Sequence, residues 1–245
     1  MAQGMTKLRW LIGGQIVKFG CFIERIGDSI GGWIDYEVDF DFPTSIEPYS
    51  ALAVMGGGMS ANDPLLSNRQ AEILILQAML KDIPVIGHCL GGQLMSKALG
   101  GTITRAQRPE IGWYPIRYAE NELTKQWFGD DPTDTVIQWH YETFSIPTGA
   151  TLLASSDNCS NQAFSIGKHL AMQFHIEMDE EKVDVWVRED DENWRESRIE
   201  FNSIQGRDEI LTNTPRYITK HKETADRIYT KWLETTEWYE LLKNR

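Results

Sequence analysis

The stretch PVIGHCLGGQLMSKALGG, residues 84–101, decides the fold of this chain. Residues 84–87 are a short apolar run typical of a buried strand, and residues 90–99 are rich in helix formers that stop at a pair of glycines. A single thiol, Cys89, lies between the two predicted elements. The pattern therefore predicts a strand that passes through a tight turn, with a cysteine on it, into a helix.

A similar unit precedes this stretch. Residues 51–55 form an apolar run, glycines 56–58 break it, and residues 68–81 have a helical composition, with Ser67 and Gln70 at the spacing of a capping box. The two units give the order strand, helix, strand, helix, and both strands are apolar. This order is typical of a parallel sheet that is covered by helices on both faces. We therefore predict an α/β fold with a mostly parallel sheet.

The rest of the chain predicts further strands and helices around this centre. Before residue 50, the patterns predict strands at 8–12 and 33–40, with a short helix at 22–30 between them. From 102 to 174 they predict irregular strands within 102–118 around Gly112, a helix at 121–128, and strands at 135–139, 150–154, 162–166 and 170–174. From about residue 179 the chain is acidic and helical, with helices near 179–190 and 217–243 and a break at 213–215. Neither a linker nor a repeat divides it, so we predict a single domain, residues 1–245, with a helical acidic C-terminal extension.

Composition and charge exclude several classes of function. The 245 residues carry a formal net charge of −12, which repels nucleic acid and anionic membranes. No apolar run approaches the roughly 20 residues that span a bilayer, and the first residues lack the layout of a signal peptide. Three cysteines are too few for a disulfide framework, which indicates a reducing compartment. We expect a cytoplasmic protein that binds neither nucleic acid nor membrane.

The residues around Cys89 have the form G-x-C-x-G, the thiol version of the strand-to-helix nucleophile elbow. Small residues must flank a nucleophile on such a turn, and its side chain then points out at the carboxyl end of the strand, where open α/β sheets place their ligands. The N-terminus of the following helix favours a thiolate. From these residues alone, a buried structural cysteine at a strand-to-helix junction is an equal alternative.

A thiol nucleophile needs a base and an orienting group, and one strand end can supply both. His175 and Glu177 lie two residues apart, so on an extended segment they share a face. A solvated strand end is the alternative, and the chain has further histidines at 88, 140, 169 and 221. The glycines at 56–58 also follow a predicted strand. Their backbone N–H groups could form an oxyanion hole with the N–H of Leu90, and a flexible glycine loop is the alternative.

Five ordered blocks between residues 50 and 178 resemble the class I, triad-type glutamine amidotransferases, particularly stand-alone members similar to the glutaminase half of GMP synthase. The blocks are MGGGMSANDP, PVIGHCLGGQ, RPEIGWYPI, QWHYETFSIP and QFHIE. The resemblance implies a flavodoxin-like sheet with flanking helices. It also implies a role for eight residues: nucleophile for Cys89, base for His175, orienting acid for Glu177, oxyanion N–H groups for Gly57 and Leu90, and substrate binding for Gln93, His140 and Tyr141.

The chain departs from this family pattern at two positions. Gly58 and Ile176 stand where the family usually has proline. Neither change removes a catalytic group. The first loosens a loop, and the second restores a backbone N–H between the histidine and the acid.

The chemistry that the resemblance implies is cysteine-dependent hydrolysis of the γ-carboxamide of glutamine, which requires neither a metal nor an organic cofactor. No cysteine and histidine spacing fits a zinc site, and no G-x-x-x-x-G-K-[ST] loop is present to bind ATP. The ammonia would therefore pass to an unknown acceptor or to a separate synthetase subunit. Two alternatives stay open: a γ-glutamyl peptidase or hydrolase with the same chemistry, and a non-catalytic binding or regulatory relative.

Overall fold

The computed structural model describes residues 20–22, 45–47, 49–188 and 192–236, and the strands of this part form one sheet. In chain order they are β1 (Gly20–Phe22), β2 (Leu52–Val54), β3 (Val85–His88), β4 (Ile103–Tyr118), β5 (Thr133–Phe144), β6 (Thr151–Ser155), β7 (Ala163–Ile166) and β8 (His169–Met172). Across the sheet the order is β1-β2-β3-β8-β7-β6-β4-β5. The strands predicted at 8–12 and 33–40 lie outside the described residues. So does the helix predicted at 22–30, apart from Phe22, which ends β1.

The sheet has a parallel half and an antiparallel half. Strands β1, β2, β3 and β8 pair in parallel, and the remaining neighbours pair antiparallel. Because β3 and β8 are parallel neighbours, their carboxyl ends lie side by side at one edge of the sheet. The segments that follow these two strands contain Cys89 and His175, so the topology alone brings the two side chains to the same edge.

Helices cover both faces of the sheet, and the predicted α/β class is confirmed. In chain order the described helices are α1 (Leu66–Leu80), α2 (Leu90–Ala98), α3 (Glu122–Phe128), α4 (Glu180–Arg188), α5 (Glu192–Glu200) and α6 (Arg207–Glu234). Successive residues of β2 point to opposite faces: Leu52 and Val54 belong to the apolar cluster of α1 and α2, whereas Ala53 belongs to that of α3 and α6. A strand buried on both sides explains why the sequence of β2 is apolar throughout.

The helical C-terminal region packs on the antiparallel half of the sheet. Val183 and Val187 of α4 and Trp194 of α5 share an apolar cluster with Trp113 of β4 and Ile137 of β5. The prediction of helix near 179–190 corresponds to α4, whereas α5 was not predicted, because its sequence is too polar to show an apolar stripe. Among the helices described, none combines the length and the apolar character that a membrane crossing needs.

Two expectations about helix ends are wrong. Helix α1 begins at Leu66 after Leu65, which makes no side-chain capping bond, so Ser67 lies inside the helix and the capping box does not form. The buried residues Leu74, Ile75 and Ala78 hold the helix against the sheet without a cap.

The break predicted at 213–215 is also absent, because α6 runs through Pro215. Proline inside a helix costs about 3 kcal/mol relative to alanine. Ile210 and Ile218 are buried on either side of Pro215, and Thr214 accepts a 3.0 Å hydrogen bond from the Trp113 indole. These contacts outweigh the cost of the proline, and local sequence gave no sign of them.

Residues 102–118 form one long strand rather than several irregular ones. Gly112 has φ 117 and remains paired with Gln138 of β5, so it bends β4 without ending it. The irregularity that the sequence predicted is confined to a register shift between Arg105 and Glu110.

Candidate active site

The thiol of Cys89 lies on a strained turn between β3 and α2. Its backbone has φ 48 and ψ −107, a region that residues with a side chain rarely adopt. The turn is held from both sides, since the N–H of Cys89 donates to the carbonyl of Met172 at 2.8 Å and its carbonyl accepts from the N–H of Gln93 at 2.9 Å. Strain at a cysteine that neighbouring strands hold in place is typical of a nucleophile elbow.

The glycines after Cys89 are required by close packing of α2 on two strands. A Cβ atom on Gly91 would lie 2.0 Å from the carbonyl oxygen of Val54, and one on Gly92 would lie 2.6 Å from that of Met172. Real Cβ atoms do not approach backbone so closely, so the first turn of α2 fits against β2 and β8 only with glycine at both positions.

The imidazole of His175 and the carboxylate of Glu177 form a close pair beside this turn. Their Nδ1 and Oε1 atoms are 2.5 Å apart, and both side chains are almost fully buried. The residues lie beyond the end of β8, where the N–H of His175 donates to the carbonyl of Ile137 at 3.1 Å. The strand itself ends at Met172, two residues before the predicted end.

The glycine loop after β2 closes the site from a third direction. A Cβ atom on Gly56 would lie 2.7 Å from Cε1 of His175 and 3.6 Å from Cβ of Cys89. Thiol, imidazole and glycine loop therefore meet at one point. A Cβ atom on Gly58, by contrast, would have no neighbour within 4 Å.

Burial and charge act in opposite directions on the pair. Burial lowers the pKa of His175, but the charge of Glu177, the nearby Cys89 thiol and the hydrogen bond with Glu177 outweigh it and raise that pKa above its ordinary value. Burial likewise raises the pKa of Glu177, and the nearby His175 and His88 together with the hydrogen bond from His175 bring it below its ordinary value. Near neutral pH the pair is therefore an imidazolium facing a carboxylate.

Gln173 contacts the thiol directly, and the sequence analysis assigned it no role. Its side chain is fully buried and donates from Nε2 to Sγ of Cys89 at 3.6 Å, while its Oε1 accepts from Nε2 of Gln93 at 3.3 Å. An amide N–H aimed at sulfur stabilises a thiolate. The only sequence signal was its position two residues before His175, on the same face of an extended segment.

Aromatic rings from the C-terminal region line the other side of His175. The ring of Trp186 on α4 stands edge-on to His175 with 5.0 Å between centroids, and it also contacts Trp139 at 5.5 Å. The backbone carbonyl of Trp139 lies 3.6 Å from the Cys89 sulfur. Both tryptophans are half-buried, so they form a partly exposed apolar wall beside the thiol and the imidazole.

The remaining residues singled out from the sequence lie around this centre at different depths. Gly57 follows Gly56 in the loop and Leu90 begins α2, next to Cys89. Gln93 is buried, and its Nε2 also donates to the carbonyl of Glu142 at 3.2 Å. Tyr141 is half-buried in the aromatic cluster of α4 and α5.

The side chain of His140 belongs to a second buried polar cluster. Its Nδ1 lies 3.1 Å from the carbonyl of Glu142 and its Nε2 lies 3.2 Å from Oε2 of Glu110. Within the described ranges, Glu110, His140 and Cys159 are the set of donors close enough to hold a metal ion, with all ligand atoms within 4.8 Å. Hydroxyl and amide groups already donate to the Glu110 carboxylate, from Ser156, Asn158 and Gln162. These donors occupy both oxygens of the carboxylate.

The site combines a strained cysteine turn at the carboxyl edge of an α/β sheet with a histidine and a glutamate beside it. This arrangement is typical of enzymes that use a cysteine nucleophile. Comparison with known proteins identifies the family. The protein-family model described as "Glutamine amidotransferase class-I" matches residues 33–187, more than half of the chain. The chain belongs to the class I glutamine amidotransferases.

Individual relatives agree with this membership. The chain is 32% identical to a "Putative glutamine amidotransferase-like protein YfeJ" of Salmonella typhimurium over 58% of this chain and 62% of that protein. It is 30% identical to "Gamma-glutamyl peptidase 3" of Arabidopsis thaliana over 66% of this chain and 70% of that protein. It is also 30% identical to a glutamine-hydrolyzing GMP synthase subunit of Sulfurisphaera tokodaii, over 54% of this chain and 70% of that protein. The match thus spans somewhat less than two thirds of the first of these relatives.

A solved structure has the same fold. The crystal structure of a glutamine amidotransferase from Methylobacillus flagellatus superposes with a TM-score of 0.77, at 36% identity over 80% of each chain. The similarity to the glutaminase part of GMP synthases that the sequence blocks implied is therefore confirmed at the level of the family.

Proposed function

We propose that this chain hydrolyses the γ-carboxamide of glutamine, with Cys89 as the nucleophile, and releases ammonia for an acceptor or partner. One observation carries the proposal: the Cys89 thiol on its strained turn, the His175 imidazole and the Glu177 carboxylate meet at one edge of the sheet. Membership of the class I glutamine amidotransferases supports the same substrate class.

The first half of the reaction forms a thioester. The sulfur of Cys89 attacks the γ-carbonyl carbon, and the backbone N–H groups of Gly57 and Leu90 donate to the oxyanion that develops on the carbonyl oxygen. The C–N bond then breaks while His175 gives its proton to the leaving nitrogen. Ammonia departs, and the γ-glutamyl group stays bound to sulfur.

The second half of the reaction restores the enzyme. His175, now neutral, takes a proton from water, and the resulting hydroxide attacks the thioester carbon. The C–S bond breaks, glutamate leaves, and Cys89 and His175 return to the thiolate and imidazolium pair. Glu177 keeps the imidazole oriented through both halves, and Gln173 stabilises the thiolate from the opposite side.

Recognition of the γ-glutamyl unit is proposed for the residues that the family resemblance indicated. Gln93 would hold the amino-acid end of the substrate through the polar chain that it forms with Gln173. The backbone at His140 and Tyr141 would hold the α-carboxylate. This role for the backbone is compatible with the His140 side chain being occupied by Glu110.

A separate synthetase subunit is the proposed acceptor partner, and the cytoplasm is the proposed location. One relative is named as a glutamine-hydrolyzing subunit of GMP synthase, which is a glutaminase function organised as a separate chain. The sequence of this chain contains no G-x-x-x-x-G-K-[ST] loop, so it carries no sign of an ATP site of that kind.

A γ-glutamyl peptidase is the second candidate function, and two observations favour it. The relative from Arabidopsis thaliana carries that name and covers two thirds of this chain. In addition, the half-buried Trp186 lies beside His175, the residue that protonates the leaving group, and Trp139 packs against Trp186. A leaving group larger than ammonia would contact this apolar wall.

The two candidates are separated by kcat/KM for glutamine against γ-glutamyl dipeptides and glutathione, with Cys89→Ala as the inactive control. Glutaminase activity requires that glutamine is the better substrate. A preference for peptides above tenfold, about 1.4 kcal/mol in activation free energy, would reverse the assignment. No turnover of any of these compounds, alone or with added cell extract, would favour a non-catalytic relative.

A further inference from the structure

The carboxylate of Glu177 faces a second histidine as well as His175. One oxygen, Oε1, contacts His175, while Oε2 lies 3.4 Å from Nδ1 of His88. His88 is the last residue of β3, directly before Cys89, and it is fully buried. Among the residues that the structure describes, neither Oε2 nor this Nδ1 has a hydrogen-bond partner of normal geometry, so each is the polar atom placed to satisfy the other.

The other nitrogen of His88 is contacted from the C-terminal helix. The hydroxyl of Tyr229 on α6 lies 3.2 Å from Nε2 of His88, and the two rings pack with 5.8 Å between their centroids. Helix α6 is anchored on this face of the sheet by Ala225, Ile228 and Trp232. The hydroxyl therefore reaches the back of the active site from an element that supplies no member of the Cys89–His175–Glu177 set.

His88 is neutral at physiological pH. Burial lowers the pKa of His88 to about 4, against the opposing charge of Glu177 and with further lowering by His175 and Lys182. His221 of α6 is also near this cluster, and burial lowers its pKa to about 4, so it adds no charge. A neutral imidazole carries a single N–H, and its neighbours decide which nitrogen has it.

Only one of the two tautomers satisfies both neighbours of the ring. With the proton on Nε2, the lone pair of Nδ1 would face the Glu177 carboxylate, and two acceptors would repel each other. With the proton on Nδ1, the ring donates towards Oε2, and Nε2 accepts from the Tyr229 hydroxyl. At 3.4 Å the contact with Oε2 is long for a hydrogen bond, and such contacts in resting enzymes commonly shorten when substrate binds.

We propose that Tyr229 and His88 are positioning residues: the Tyr229 hydroxyl donates to Nε2 and fixes the position of the His88 ring, and His88 holds the second oxygen of Glu177. The carboxylate is then held at both oxygens and cannot rotate away from His175. The inference rests on the proposed function, because it assigns these residues to the orientation of the proposed base. It also gives the C-terminal helix a direct part in the site.

The first test reads the tautomer without any substrate. In protein labelled with ¹⁵N-histidine, the two ring nitrogens of His88 are identified by their loss in His88→Asn. We expect the native ring to carry its proton on Nδ1, and we expect the Nε2 resonance to move in Tyr229→Phe, because this nitrogen loses the hydrogen bond that it accepts. Tyr217→Phe is the matched control, since Tyr217 lies on the same helix but packs on Trp113, and it should leave the His88 signals unchanged. A native Nε2–H tautomer, or no change in Tyr229→Phe, would overturn the proposal.

The second test measures, by steady-state kinetics, whether Tyr229 and His88 act together on turnover. Tyr229→Phe should lower kcat about tenfold, at the lower end for residues that orient a catalytic group, with KM and the melting temperature little changed. His88→Asn retains a side-chain N–H near the place of Nδ1 and should cost less than His88→Leu. In the double variant of Tyr229→Phe and His88→Asn, the two losses should not add, because both act on one carboxylate. Additive losses, or a fall in stability with kcat unchanged, would refute the positioning role.

The two tests can fail independently, so they distinguish failure of this inference from failure of the proposed reaction. The tautomer is read in native protein, and the reading needs no substrate. The expected tautomer together with no γ-glutamyl turnover would leave the contact intact and reject the proposed function. The opposite tautomer with full turnover would do the reverse.

Discussion

The chain buries the same three residue types in two separate clusters, and only one cluster has the geometry of a reactive site. Cys89, His175 and Glu177 lie at the carboxyl edge of the parallel strands. Cys159, His140 and Glu110 lie under the antiparallel strands, also buried. A count of residue types cannot distinguish the clusters, so the difference lies in what each side chain contacts.

In the second cluster every group is already occupied. Both nitrogens of His140 face acceptors, the Glu110 carboxylate accepts from hydroxyl and amide donors, and Cys159 exchanges a 3.2 Å hydrogen bond with Thr143. In the first cluster, Nε2 of His175 has no partner of normal hydrogen-bond geometry within the described ranges, and Cys89 stands on a strained turn. A saturated network rigidifies a fold, whereas an unoccupied nitrogen beside a thiol can transfer a proton.

Replacement of each cluster's cysteine by alanine should give the largest difference in kcat between the two clusters. Cys89→Ala should lower kcat by roughly 10⁴-fold or more, since the nucleophile is lost, whereas Cys159→Ala should keep turnover and lower only the melting temperature. Labelling with a glutamine-like diazoketone and peptide mapping gives an independent check. The label should lie on Cys89, and a label on Cys159 or Cys21 with Cys89 unmodified would reverse the comparison.

The two histidines should separate chemistry from stability. His175→Ala should lower kcat by roughly 10²–10⁴-fold, the usual contribution of a general acid and base. His140→Ala should act mainly on the free energy of unfolding, by about 1–3 kcal/mol, because it removes a buried polar partner of the Glu110 carboxylate. Urea titrations and steady-state kinetics on both variants measure the two effects. Near-full turnover in His175→Ala would remove it from the proposed mechanism.

The two carboxylates offer a smaller and pH-dependent contrast. Glu177→Gln removes the charge that raises the pKa of His175, so that pKa falls. Since His175 must be protonated to give its proton to ammonia, the alkaline limb of the kcat profile should move to lower pH, with kcat lowered roughly 10–100-fold at its optimum, less than for loss of the base itself. Glu110→Gln should leave the position of that limb unchanged. An unshifted limb in Glu177→Gln would show that Glu177 does not control the protonation of the base.

Protonation of the histidines outside both pairs should give the smallest effect, and it should be seen in stability as the pH falls. Burial lowers the pKa values of His88, His169 and His221 to about 4. In the unfolded chain these groups titrate near 6.5. Their contribution is therefore fully present above pH about 6.5 and is lost as pH falls towards 4, because the unfolded chain takes up protons first.

Urea unfolding between pH 7 and pH 4.5 measures this loss. The slope should approach about 1.4 kcal/mol per pH unit for each histidine that takes up a proton on unfolding. His169→Gln removes one of the three groups and should reduce the slope accordingly. A slope that is unchanged in this variant would mean that His169 is not depressed in the folded state.

Local patterns were sufficient to predict β2, β3 and the cysteine turn, whereas β1 lies at Gly20–Phe22, where they predicted the start of a helix. The apolar runs of β2 and β3, and the helix that ends before the glycines at 100 and 101, were predicted within one or two residues of where they lie. They could be predicted because each of these elements is buried on both faces, so its residues are almost all apolar or small and indicate a buried position. The single-domain organisation stays a prediction. So do the roles of the site residues, which are Cys89, His175, Glu177, Gly57, Leu90, Gln93, His140 and Tyr141.

The C-terminal region could not be predicted so well, for a physical reason. Helix α5 is mostly polar, and α6 continues through Pro215 because Ile210 and Ile218 are buried against strands about a hundred residues earlier in the chain. Such long-range burial leaves no periodic signal strong enough to outweigh a proline. For the same reason, nothing local indicated that Tyr229 reaches His88 or that Trp186 contacts His175.

By itself, the sequence determined that this protein is an α/β member of its family with a cysteine on a strand-to-helix turn, because glycine spacing and buried strands are local properties. Only the tertiary structure decided which cysteine, histidine and glutamate meet at an unsaturated site, because two sets of the same residues are buried. It also decided that Gln173, His88 and the C-terminal helix border that site. These contacts join residues far apart in the chain, and they exist only once the sheet has brought its strand ends together.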